Sequence, residues 1–284
     1  MRQLFTTIVC LLAVGNICTT SAWASSPIGE QSLSEGMALA TLGANSNADS
    51  NTDINSDVTR DIDIMFRLGF NIGGTMPLGM PATIRSLNSY APRANLVIGA
   101  EVNFGLSSRW GIETGVRFEN KGMKIDANVK NYGMEMRKGT DVISGRFTGS
   151  VVTEVDEWML TIPVMANLSV RKVNILAGPY ISAVISGDFT GYAYDGYLRE
   201  GNPTGLKIEL GNEADTRGEY DFSDDLRTLQ LGVMVGADWH FGKRLGAYLN
   251  LAWGLTEAFH SDFKTIEQSM YPIYASVGLT YNLK

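Results

Sequence analysis

The chain holds only 2 cysteines, Cys10 and Cys18, and none after them. Past the N-terminus this excludes disulfides and thiol chemistry, which suits export through an oxidising periplasm. Also missing is any run after residue 24 that approaches the roughly 20 apolar residues of a spanning helix. A helical membrane protein is therefore excluded. Basic charge is short as well: 23 Lys and Arg stand against 30 Asp and Glu. Nucleic acid as a partner is excluded, because it needs a basic footprint. Histidine is equally scarce, with 2 in the whole chain, and His240 and His260 fall too far apart in the pattern below to act together.

What is present begins with an export signal. Arg2 gives a positive start, Leu4 to Val14 an apolar core, and Ala22-Trp23-Ala24 a small-residue cleavage site. Removing residues 1–24 takes away Arg2 alone among the charges, so 23 basic residues become 22 against 30 acidic, a net of −8. Residues 25–60 are rich in Ser, Asn, Asp and Gly and poor in aromatics, and read as a flexible periplasmic segment. Within it Asp49, Asn51, Asp53, Asn55 and Asp57 alternate like a calcium loop. Ile54 stands where that loop needs Gly, however, and Arg60 where it needs a bidentate Glu. A solvated linker is the reading.

From residue 61 to 284 the pattern changes to eight stretches with a period of two. The first sets Ile62, Ile64, Phe66, Leu68, Phe70 and Ile72 against Asp63, Arg67 and Asn71. The third sets Trp110, Ile112, Val116 and Phe118 against Glu113, Arg117, Glu119 and Lys121. The other six repeat the scheme, ending on Ile273, Ala275, Val277, Leu279 and Tyr281. Each apolar stripe has about the 9–11 residues that a tilted strand needs to cross a bilayer. Short turns at Gly105 to Arg109, Ser169 to Lys172 and Gly242 to Arg244 alternate with long connections. The longest of these, Gly122 to Thr153 and Gly187 to Leu226, read as external loops.

Aromatic residues fall at the stripe ends. Phe104, Trp110, Trp239, Phe241 and Tyr281 lie toward the short turns, and Phe118, Trp158 and Trp253 toward the other rim. Two girdles are what amphipathic rings form at the two interfaces. The fold expected is all-β, an eight-stranded antiparallel up-and-down transmembrane β-barrel in the outer membrane. A soluble barrel of the lipocalin type would bury the apolar stripe and show no such banding.

The stretch from Trp158 to Met165, WMLTIPVM, resembles the x-L-x-I-P strand of the PorT-like outer-membrane barrels of Bacteroidetes. Ala177-Gly178-Pro179-Tyr180, then Leu231 to Gly236 and Tyr248 to Leu255, follow in the order of that family. The resemblance covers about residues 60 to 284. It implies a small eight-stranded barrel, in many members without an assigned activity, while a few relatives serve a protein secretion system. The terminal aromatic of such barrels is carried here by Tyr281.

Candidate chemistry is sparse. Arg67, Glu101, Glu113, Arg117, Glu119 and Lys121, with Asp238 and His240, fall on the inward face. They are expected to fill the lumen as a paired network, since eight strands leave no water channel. His260, Ser261 and Asp262 could supply base, nucleophile and orienter, but neighbours in sequence rarely reach that geometry, and a solvated loop is the alternative. Residues Gly187 to Leu226 carry ten acidic residues against Arg199, Lys207 and Arg217, a net of −7. Divalent cations that bridge lipopolysaccharide phosphates could dock there through oxygen ligands; without stringent metal spacing a solvated, self-repelling loop is expected, and Tyr192, Tyr194 and Tyr197 are either recognition anchors or packing. No cofactor or metal is implied. The function expected is a non-enzymatic platform acting through its outer loops, with membrane lipid, lipopolysaccharide and envelope or secretion proteins as partners. The alternatives are an accessory component of a secretion system and an outer-leaflet lipid-modifying enzyme.

Overall fold

In the computed structural model the described residues are 62–283 apart from 80, 94, 139, 140, 264 and 267. The expectations for residues 1–24, for 25–60 and for the alternation from Asp49 to Asp57 lie outside them. The strands are β1 (Ile62–Pro77), β2 (Ile84–Pro92), β3 (Leu96–Gly105), β4 (Trp110–Lys138), β5 (Asp141–Val170) and β6 (Val173–Glu200), then β7 (Lys207–Leu210), β8 (Gly218–Asp221), β9 (Leu229–His240), β10 (Leu245–Gly254) and β11 (Met270–Asn282). Eight of them close a ring in the order β1, β3, β4, β5, β6, β9, β10, β11, each antiparallel to the next, and β11 pairs back onto β1.

Alternation decides which way each side chain points. Along β1, Ile64, Phe66, Leu68, Phe70 and Ile72 are exposed while Met65, Arg67, Gly69 and Asn71 between them are buried. Leu68 is 56% exposed and Arg67 1%, the reverse of a protein folded in water. Leu231, Val233 and Val235 on β9 and Ile162 and Val164 on β5 continue the outward apolar belt. Arg171, in the left-handed region at φ 57, turns the chain tightly between β5 and β6. No helix among the described residues is long and apolar enough to cross a membrane.

The expectation of long loops is overturned at 122–153 and 187–226. β4, β5 and β6 run on unbroken for 29, 30 and 28 residues, whereas β3, β9, β10 and β11 have only 10 to 13. The excess, about 18 residues or ~60 Å along the strand, builds a head above the belt. β2 pairs with β4 there, β7 with β6, and β8 with both β6 and β4. β4, β5, β6 and β8 thus close a second, smaller ring. The acidic stretch is part of it, and is not a self-repelling loop. Its physical reason is a core: Met123, Val129, Phe147, Val155, Phe189, Leu198, Tyr220, Phe222 and Phe259 pack together on the inner side.

Bulges keep the faces in place. The register shifts where Trp158 and Met159 oppose Ser186 and Val184. Below that point Leu176, Tyr180 and Ser182 of β6 are buried; above it Phe189 and Ala193 are. Asp195, at φ 46, sits in a second irregularity, between Tyr194 opposite Ser150 and Tyr197 opposite Thr148.

Candidate functional site

Two places concentrate polar chemistry: the lumen of the ring and the outer surface of the head. In the lumen Arg67 is the hub. Its Nη1 and Nη2 donate to the two oxygens of Asp238 at 2.9 and 2.6 Å, and Nη2 also to Glu113 at 2.6 Å. Its Nε donates to Glu101, which takes Arg117 Nε on its other oxygen. The Arg67 guanidinium lies 4.9 Å from the ring centre of Tyr248. That ring occupies the place left by Gly69 and Gly278, which pair across β1 and β11; a side chain at either glycine would collide with it. Asn250, its amide oxygen facing Arg117 Nη1 at 3.0 Å, completes this tier.

A second tier lies nearer the head. Glu119 accepts from Lys121 at 3.0 Å, from Thr161 at 2.5 Å and from Asn71 at 3.1 Å. Ser276 donates to Asn71 at 2.5 Å, so β1 and β11 are joined here by side chains as well as by backbone. Lys121 Nζ lies between the rings of Tyr180 and Tyr274, at 5.5 and 5.7 Å. Gln230 donates to Glu157 at 3.0 Å. Glu157, a residue missed from sequence, is fully buried. Its position two before Met159 and four before Thr161, both inward-facing, carries the signal. Altogether Arg67, Arg117 and Lys121 are buried with Glu101, Glu113, Glu119, Glu157 and Asp238. Side chains fill the lumen, and the apolar core of the head lies above it.

Phe104, Trp110, Trp239, Phe241 and Tyr281 are exposed on the outside near the short turns, with Trp239 and Phe241 edge to face at 5.8 Å. Toward the head, Trp158 is half-buried and stacks on Phe118 at 5.1 Å, and Trp253 is exposed. Trp110 to Phe118 spans about 26 Å of strand, or ~20 Å of height once tilt is allowed for.

On the head, His260, Ser261 and Asp262 are all exposed, and no hydrogen bond joins their side chains. His260 borders a cavity of about 210 Å3 over Phe259 and Phe263, whose rings stack at 4.5 Å. His240 is half-exposed at the end of β9, on the side of the short turns. Burial pushes the Tyr220 phenol up; it donates to the Val152 carbonyl at 2.7 Å. Outside, the hydrogen bond from Lys124 at 2.6 Å holds the Glu154 carboxyl below its ordinary value, with Arg93 also paired to it. The three tyrosines share the outer face of β6. Tyr192 lies under the Arg217 guanidinium at 4.4 Å, and Tyr197 has Lys207 over it at 5.0 Å.

Residues 44–260 match the family described as outer membrane protein beta-barrel domain. No curated protein matches the chain in sequence. Among solved structures it is similar to Ail, the attachment invasion locus protein of Yersinia pestis, at 7% identity over 78% of this chain and 97% of that one, with a TM-score of 0.32. It is similar also to Neisserial surface protein A, at 7% over 78% and 96%, TM-score 0.31. A third is the outer membrane protease OmpT from Escherichia coli, at 12% over 79% and 98%, TM-score 0.30.

Proposed function

The chain belongs to the outer membrane protein β-barrel family and sits in the outer membrane, and from that premise we propose that it is a non-enzymatic barrel that holds a folded head at the cell surface as an interaction platform. The observation that carries this reading is the reversal of polarity along β4 and β5. Their outward face is apolar beside Ile112, Val116 and Leu160, then polar at Lys124, Asp126 and Glu154; their inward face changes in the opposite sense. A strand that leaves hydrocarbon for water reverses in this way. Tight turns at the other end suit the periplasmic side and the head the external side. A filled lumen favours a plug over a channel. The exposure of His260, Ser261 and Asp262 to solvent favours contact over catalysis.

We further propose that residues 1–24 are removed on export, that residues 25–60 stay periplasmic, and that membrane lipid and lipopolysaccharide surround the belt. The PorT-like motifs from Trp158 to Tyr180 all lie on β5 and β6, and kinship with that subfamily is part of the proposal. The test replaces 123–155 with a tight turn. The variant should still show the heat-dependent gel shift of a closed barrel while losing surface adhesion or partner capture. Loss of the gel shift, or retention of adhesion, overturns the platform.

A further inference from the structure

We infer that the outward sheet face of the head is a binding site for neutral glycan chains; the inference rests on the surface presentation proposed above. Across β2, β4, β5 and β6 the side chains there hold one another in place. Asn88 donates to Asp126 at 3.1 Å, and Tyr194 donates to the other oxygen of the same carboxylate at 2.9 Å. Asn128 donates to Asn88 at 2.9 Å and to Ser86 at 3.0 Å, and Ser150 donates to Asn128 at 2.8 Å. Tyr192 extends the row, its ring 5.7 Å from that of Tyr194.

The row is built for a hydroxylated ligand. Amides, a carboxylate and hydroxyls on a paired sheet are ordered before anything binds, so little rotamer freedom is lost on contact. Capacity remains: the Asn88 amide has a second N–H and each Asp126 oxygen a further lone pair. These meet the alternating donors and acceptors of sugar hydroxyls, while the tyrosine rings, Tyr192 with the Arg217 guanidinium already over one side of it at 4.4 Å, give the flat apolar surface that the C–H face of a pyranose covers. Val152 in this region is only 3% exposed, whereas Leu87 of β2, between Ser86 and Asn88, is 43% exposed, so the apolar matter on offer is ring together with Leu87.

Charge points away from a polyanionic ligand. Lys124 is paired with Glu154 at 2.6 Å and Arg217 with Glu219 at 2.7 Å, and Arg93 also engages Glu154. These cations are each engaged by a carboxylate and offer no unpaired positive charge to gather a polyanion.

The test titrates the full chain, in amine-oxide micelles, with maltohexaose, cellohexaose, mannohexaose and galactohexaose by calorimetry. At least one should bind, and Asn128→Ala and Tyr192→Ala should each weaken it at least about tenfold, ~1.4 kcal/mol, with the heat-dependent gel shift unchanged. The inference is overturned if none binds, if both variants bind as well as the parent, or if only a sulfated oligosaccharide or a protein occupies the face. Labelling of Asn88→Cys on intact cells with an impermeant maleimide separates the two readings. Labelling without glycan binding overturns the glycan site alone; an unlabelled Asn88→Cys overturns surface presentation itself.

Discussion

Within the belt, the inward face of β4 carries Glu113, Arg117, Glu119 and Lys121; a few residues on, the same face carries Met123, Ala127 and Val129. β5 does the same in reverse chain order, with Val151 and Val155 in the head and Glu157 and Thr161 in the ring. The ring is therefore polar inside and apolar outside, and the head apolar inside and polar outside. Two solvents act on one sheet. Where hydrocarbon surrounds the strand, burying apolar side chains gains nothing, and the interior is held by paired charges. Where water does, the hydrophobic effect returns and fills the interior with Met, Val and Phe.

The comparison breaks most sharply at the hub. Arg67→Leu leaves Glu101, Glu113 and Asp238 facing one another without their shared cation, which is expected to cost about 4 kcal/mol, as loss of one partner from a buried ion pair does. Urea unfolding followed by the gel shift should record a collapse of the ring. Phe189→Ala in the head core should cost about 3 kcal/mol through the cavity it leaves. Protease should then cut the head while the ring keeps its gel shift; simultaneous loss of both would show that the two cores are one cooperative unit. The smallest effect lies on the head surface. The folded-state pKa of Glu154 is below its ordinary value because of Lys124, so its contribution is complete above the unfolded carboxylate value of about 4.3 and disappears as pH falls through the folded one. Glu154→Gln should remove a small increase in head proteolysis between pH 5 and pH 3.

Period two made the belt portions of all eight ring strands legible from sequence. The head was missed because the outward apolar stripe stops at Phe118. Yet alternation continues with opposite sign, Met123, Ile125, Ala127 and Val129 against Lys124, Asp126, Asn128 and Lys130. Bulges hid the remainder: β2 shifts register twice within Ile84–Pro92, and β4 shifts between Val129 and Tyr132, beside Asn131 at φ 55. In the lumen, alternation told which residues face inward but not who meets whom. Arg67 reaches Asp238, 171 positions away, and such partnerships are fixed by how the sheet closes, a property of no single segment.

The hub draws its members from β1, β3, β4 and β9, and Tyr248 rests on a glycine pair contributed by the first and last strands. An unclosed sheet keeps Asp238 of β9 stranded and that phenol without its seat. Insertion of the final strand therefore completes hydrogen bonds and charge pairing in one event, so half-assembled forms are poorly tolerated and the finished cylinder resists opening at its seam.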